Sequence, residues 1–187
     1  MAPRPGRACD AYTHTSWVVA MRVLNSQTQF GLVSRALHWI IVLAIVAQWL
    51  LAEAEGSVAL GLHQSIGLSV FFLALVRLAW RLFNPAPAWP ADLRPYEISL
   101  ARVVHFAFYV LLFAIPISGW ALSSVEDEPL RFFNSFEVPR LVLAGEKTLE
   151  EVHESLFNVL VALAVLHVIG AGKHWLDRAR RKRATTG

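Results

Sequence analysis

The chain has 187 residues, of which 56% are hydrophobic and 17% are charged, and its mean hydropathy is +0.47. Soluble domains carry about 25% charged and about 45–50% apolar residues, so the composition excludes a disordered chain and argues against a soluble globule. A single cysteine excludes a disulfide framework and a Cys-ligated zinc or iron–sulfur centre. The length suits one domain or one small bundle of membrane helices.

Residues 1–28 form an N-terminal extension that fits the rest of the chain poorly. Its apolar patch, Trp17–Ala20, is too short to span a bilayer and lacks the features of a signal peptide. Met21 opens a polar lead-in to the first apolar segment. We therefore expect that the residues before Met21 are not translated or are disordered, and we assign no function to Cys9 or His14.

Four later segments are long and apolar enough to be spanning helices, which need about 20 mostly apolar residues. They run from about Leu32 to Ala52, from Val58 to Leu82, from Ile98 to Leu122 and from Val152 to Ala171. The expected fold class is therefore all-α, an integral membrane four-helix bundle over residues 29–177, followed by a basic tail over 178–187.

The placement of lysine and arginine predicts the orientation, because cytoplasmic loops carry an excess of positive charge. The turn after the first segment has no basic residue, and residues 123–151 have three against seven acidic residues. The other basic residues lie before or at the start of the first segment, between the end of the second and the start of the third, or after the fourth. We expect both termini to be cytoplasmic, and we interpret the basic tail as a topology determinant and not as a nucleic-acid site.

Histidines within the apolar segments are the main functional signal, because a polar side chain at membrane depth normally faces a partner inside the bundle. His153 and His167 are 14 residues apart, so at about 100° per residue they share roughly one helix face, about 21 Å apart along the axis. By depth, His38 pairs with His167 at the cytoplasmic end, and His63 pairs with His153 at the outer end.

Two imidazoles from different helices, with no carboxylate or thiolate nearby, suit a planar cofactor with two axial positions, which is haem. The pattern predicts two haem b groups, non-covalent because the chain lacks Cys-x-x-Cys-His. The predicted iron ligands are His38, His63, His153 and His167. The alternative left open is that these histidines only form hydrogen bonds between helices.

Several motifs resemble those of the bacterial cytochrome b561 family, di-haem four-helix membrane cytochromes that include superoxide oxidases. The resemblance covers about Gln29 to Asp177. It rests on the Leu-His-Trp around His38, the His-x-Ser-x-Gly that begins at His63, the Pro-x-x-Gly of the third segment and the paired histidines of the fourth. In that family the axial ligands fall at the positions of the same four histidines. Val152 departs from the pattern, since some relatives have a tryptophan there.

The resemblance implies an oxidoreductase of the bacterial inner membrane that takes electrons from superoxide at the periplasmic side and reduces ubiquinone. It also implies a quinone site at the cytoplasmic end, with His174 and His105 as candidate residues. Arg77 and Arg81 are four residues apart and share a helix face. They are candidates for the quinone site, for haem propionates or for lipid phosphates.

The superoxide assignment meets one electrostatic difficulty. The acidic run Glu126–Glu128 would repel an anion, so Arg131, Arg140 or Lys147 would have to supply a local positive path. Two other functions stay open. One is a cytochrome b subunit for a dehydrogenase or a periplasmic carrier, and the other is a haem-free transporter with a histidine relay. No side chain is assigned as catalytic.

Overall fold

Four long helices dominate the computed structural model, which describes residues 23–90, 93–125 and 130–185. Helix α1 spans Leu32–Ala52, α2 spans Ser57–Phe83, α3 spans Pro95–Val125 and α4 spans Glu146–Thr185. Between α3 and α4 lies a short antiparallel hairpin of β1 (Arg131–Phe132) and β2 (Phe136–Glu137). The prediction of four helices is confirmed, whereas the hairpin was not predicted.

Each of these helices is long and apolar enough to cross a membrane, the qualifying part of α4 being Glu146–Asp177. Large apolar side chains remain exposed on their surfaces, including Trp39, Leu43, Phe106 and Val168. Such exposure is expected where lipid, and not water, surrounds the helices. These features are those of a multi-pass membrane protein.

Three helices extend beyond the segments expected from the sequence, and α4 differs most. It begins at Glu146 and continues to Thr185 through residues that were expected to form a separate tail. The limits expected for the fourth segment, Val152 and Ala171, are therefore wrong by more than one turn at each end. Apolar residues mark only the part of a helix that lipid surrounds, and charged residues with good helix propensity continue it beyond that part.

The helices pack in chain order, α1 against α2, α2 against α3 and α3 against α4. A small apolar core of Ile41, Val70, Ala74 and Leu112 joins the first three. Within the part of the chain that the structure describes, α4 packs against α3 alone. Space is therefore left between α4 and the first two helices, and the candidate functional site lies in this space.

The two ends of the bundle carry different parts of the chain. The hairpin end carries the turn between α1 and α2 and the β hairpin, and the terminal end carries residues 23–31 and the last turns of α4. At the terminal end, the Asn25 amide donates to the backbone oxygens of Asn84 and Pro85 at 2.9 and 3.1 Å. The expected start at Met21 and the acidic run Glu126–Glu128 lie outside the described residues.

Candidate functional site

A cavity of about 250 Å³ lies in the half of the bundle nearer the hairpin end. His63 of α2 and His153 of α4 both line it, and their ring centroids are 6.2 Å apart with the ring planes inclined at 68°. Most other lining side chains are apolar, including Ile45, Leu112 and Phe157. The structure therefore brings together the two histidines that the sequence paired by depth at this end.

His153 is held in place by α3. Its Nδ1 atom lies 2.9 Å from Oγ of Ser118 and 3.1 Å from the backbone oxygen of Ile115. Gly119 permits this close approach, because a Cβ atom there would lie 2.9 Å from Cε1 of His153 and 3.3 Å from its Nδ1. The sequence indicated the Pro-x-x-Gly motif but not Ser118, since a serine in an apolar helix gives no sign of its tertiary partner.

On the opposite wall, Nδ1 of His63 is buried and has no hydrogen-bond partner among the described residues. The backbone oxygen of Gln48 lies nearby, but not in hydrogen-bonding geometry. Oε1 of Gln48 is also buried without a partner. The cavity presents two imidazoles from different helices, with ring centroids 6.2 Å apart, among mostly apolar walls, so it fits an apolar ligand that bonds to imidazole. Haem, with an iron that binds imidazole and an apolar ring, fits these walls.

A second histidine cluster lies toward the terminal end. The ring of His167 contacts that of His105 edge-on, with centroids 5.5 Å apart, and that of Phe108 at the same distance of 5.5 Å. His38 lies within electrostatic range of Arg77, His105 and His167. The structure thus groups His38 with His167, as the sequence predicted, but it is His105 whose ring contacts His167.

A polar network joins residues 23–31 to α1 and α2 beside His38. Arg77 donates to the backbone oxygen of Ser34 at 3.3 Å, and Nε1 of Trp80 donates to Oγ of Ser34 at 3.1 Å. The Ser34 hydroxyl in turn donates to Oδ1 of Asn25 at 2.7 Å. Asn25 and Ser34 were not predicted as functional residues, because a short polar side chain gives no sign in the sequence of its tertiary partner. Arg77 is thereby oriented next to His38.

The other quinone-site candidates also lie at the terminal end. Arg81 is exposed and lies within electrostatic range of His105. His174 is half-buried and lies within electrostatic range of Glu97, which forms an ion pair with Lys173 at 3.2 Å. This ion pair joins α3 to α4. The candidates therefore surround the second histidine cluster and not the first.

The β hairpin is anchored to α2 at the hairpin end, and the residue before it reaches the cavity. Ser65 is fully buried, and its Oγ accepts a hydrogen bond from the Phe133 amide at 2.9 Å and donates one to the Gly61 oxygen at 2.7 Å. Leu130, which precedes β1, is buried and lines the cavity. The His-x-Ser-x-Gly motif therefore contributes a cavity-lining histidine and, two residues later, the anchor of the hairpin.

Similarity to known proteins extends over most of the chain. The family model described as "Prokaryotic cytochrome b561" matches residues 29–185. The chain is 32% identical over 168 residues to "Cytochrome b561 homolog 2" of Escherichia coli (strain K12), which covers 82% of this chain and 88% of that protein. It is 26% identical over 148 residues to "Probable superoxide oxidase CybB" of Yersinia pestis, which covers 74% and 84% respectively.

Proposed function

This chain belongs to the prokaryotic cytochrome b561 family of membrane electron-transfer proteins, and on that premise we propose that it is a di-haem quinone reductase. It takes electrons from superoxide at the periplasmic side of the bacterial inner membrane and passes them to ubiquinone at the cytoplasmic side. The family implies haem b. The two haems, the donor, the acceptor and the orientation with cytoplasmic termini belong to the proposal.

The observation that best supports the proposal is the spacing of His63 and His153. The ring centroids of the two imidazoles are 6.2 Å apart, so both rings could bind one metal ion placed between them, because a metal–imidazole bond is about 2 Å long. The two rings come from α2 and α4, whose backbones do not approach each other closely in the described residues. A planar ligand between them would fill the space that the helices leave.

In this proposal His63 and His153 hold one haem iron, and His38 and His167 hold the other. When bound, haem with two histidine ligands supplies one-electron chemistry without an open position for oxygen. The apolar lining of the cavity excludes water from the hairpin-end site.

In this proposal the residues at the terminal end bind and protonate the quinone, which is the electron acceptor. Arg77 and Arg81 remain charged at any physiological pH, so they anchor propionate or phosphate groups and do not transfer protons. His105 and His174 are the residues that can donate a proton to a quinone oxygen. In the overall reaction, two superoxide anions lose one electron each to become O₂, and one quinone gains two electrons and two protons.

The first test is spectroscopic and then enzymatic. A reduced-minus-oxidised spectrum of the purified protein should show b-type haem at two per chain. With a superoxide generator and a soluble ubiquinone analogue, the protein should release O₂ and reduce the quinone faster than spontaneous dismutation allows. One haem per chain, or quinone reduction that does not depend on superoxide, would contradict the proposal.

Histidine variants test the pairing. His63→Ala and His153→Ala should each remove the same haem, and His38→Ala and His167→Ala should each remove the other, because each iron loses an axial ligand. The measurement is haem per chain together with the midpoint potential of the haem that remains. Removal of the same haem by one variant from each pair would show that the pairing is wrong.

The second candidate function is a cytochrome b subunit for a dehydrogenase or a periplasmic carrier. It is favoured by the names of the relatives, since the relative at 32% identity is named only as a cytochrome b561 homolog and the superoxide oxidase name comes at 26%. Stable co-purification with a partner, and no reaction with superoxide, would favour this candidate. Membership of an electron-transfer family argues against the haem-free transporter.

A further inference from the structure

We infer that Ser118 is a positioning residue, which fixes the tautomer and the orientation of His153 so that its Nε2 atom is the one offered to haem iron. The inference rests on the proposed function, because it concerns the hairpin-end haem site. Ser118 would thus influence the iron indirectly, through its hydrogen bond with His153.

The hydrogen-bond geometry determines which ring nitrogen carries the proton. The Ser118 hydroxyl donates its single hydrogen to the backbone oxygen of Ile115 at 2.9 Å, so only lone pairs remain on Oγ to face His153. The Ile115 oxygen, which lies 3.1 Å from the same Nδ1, is likewise an acceptor. With two acceptors directed at it, Nδ1 is protonated, and Nε2 of the neutral ring keeps its lone pair for a metal.

The opposite tautomer of His153, with Nδ1 unprotonated, is unfavourable. If Ser118 donated to His153, the lone pair of Nδ1 would face the Ile115 oxygen at 3.1 Å and the two would repel each other. Ser118 is only 6% exposed, so water does not compete for these bonds and the local electrostatics are strong. The orientation of His153 is therefore determined by α3, independently of any ligand.

The two histidines of the cavity differ in the hydrogen bonding of their Nδ1 atoms. Nδ1 of His63 has no hydrogen-bond partner among the described residues, whereas Nδ1 of His153 has two acceptors. A hydrogen bond from the non-ligating nitrogen increases the electron donation of an imidazole to a metal. Ser118 should therefore stabilise the oxidised iron at this site and lower its midpoint potential.

The test compares Ser118→Ala with Ser123→Ala in the purified, haem-loaded protein. Ser123 is a matched control because it is also buried on α3, and its hydroxyl donates to the Trp120 oxygen three residues earlier at 2.9 Å. Redox titration and low-temperature EPR of the ferric haems are the measurements. S118A should raise one of the two midpoint potentials and change one low-spin EPR signal, and the affected haem should be the one that H153A removes.

The controls separate positioning from folding. Ser118→Thr keeps the hydroxyl and should return the potential toward the wild-type value, while S123A should match the wild type in both measurements. Loss of one haem in S118A with retention in S118T also supports the inference. Unchanged potentials and EPR signals in S118A, or equal changes in S118A and S123A, would overturn it while leaving the proposed function intact. Absence of haem from the wild-type protein would overturn the proposed function itself.

Discussion

At the level of single residues, the absence of a side chain at position 119 is what allows α3 to contact His153. A Cβ atom there would come within 2.9 Å of Cε1 of the imidazole, closer than real contacts allow. The ring also lies within hydrogen-bonding distance of Ser118 and Ile115 on the same helix, so a shift away from α3 would lengthen these contacts. The geometry of this site therefore depends on a glycine as much as on the histidines.

We expect Gly119→Ala to weaken haem binding at the hairpin-end site. Overpacking a tight contact costs about 1–3 kcal/mol, which corresponds to roughly 5- to 150-fold in affinity. The measurement is haem per chain after dilution into a haem acceptor. The control is Gly172→Ala on α4, where an added Cβ meets nothing within 4 Å, so binding should not change. Equal haem retention by the two variants would refute this reading of Gly119.

Among the structural elements, the β hairpin depends most on another part of the molecule. Each strand has two residues, too few to be stable alone. Its turn holds Phe133 and Asn134 at positive φ angles of 42° and 58°, a conformation that costs energy for residues other than glycine. The hydrogen bond from the Phe133 amide to Ser65 supplies the tertiary contact that holds this turn against α2.

Ser65→Ala should therefore free the hairpin without unfolding α2. The Phe133 amide would lose its partner, at a cost of about 1–3 kcal/mol, so its hydrogen exchange should accelerate by roughly one to two orders of magnitude. Ser69→Ala is the matched control, because the Ser69 hydroxyl only donates to the Ser65 oxygen within the same helix at 2.8 Å. Identical exchange at Phe133 in both variants would show that Ser65 does not anchor the hairpin.

For the whole molecule, the arrangement of the helices leaves α4 incompletely packed. Among the described residues it packs against α3 alone, and the proposed haems would join it to α1 and α2. A ligand present at about 100 times its Kd stabilises a fold by about 2.7 kcal/mol. Protein made without haem should thus unfold roughly 5–10 °C lower than loaded protein, as measured by thermal unfolding in detergent. Equal melting temperatures would show that haem does not join these helices.

The charge of the hairpin end gives a second prediction for the whole molecule. The sequence has two acidic residues in 53–56, and seven acidic against three basic residues in 123–151. Arg131 is already paired with Glu137 at 3.1 Å. Repulsion should therefore slow the approach of superoxide, and raising the salt concentration should increase the rate of superoxide-dependent quinone reduction, because salt screens exposed charges.

A donor of the opposite charge distinguishes the candidate functions. Reduction by a cationic complex should slow as salt is added, since screening then removes an attraction. Stopped-flow haem reduction with the two donors over the same salt range is the measurement. A superoxide rate that falls with salt would indicate a local positive path, in which Arg140 and Lys147 are the remaining basic residues.

The amino-acid pattern alone was enough to predict the helices and the relative depths of the histidines. Apolar length locates a spanning segment, and 100° per residue fixes the relation between His153 and His167 on one helix. These are local properties, so the bounds of α1 were predicted as observed. The depth pairing of His63 with His153 follows from the same rules, and their rings are 6.2 Å apart.

Which faces the helices turn toward one another could not be predicted from the amino-acid pattern. The rotation of α3 about its axis depends on packing, and it placed His105 in contact with His167 and Ser118 in contact with His153. The hairpin likewise depends on Ser65, which precedes it by more than 60 residues. Periodicity describes each helix separately. Contacts between helices depend on how side chains from different segments fit together, which no single segment specifies.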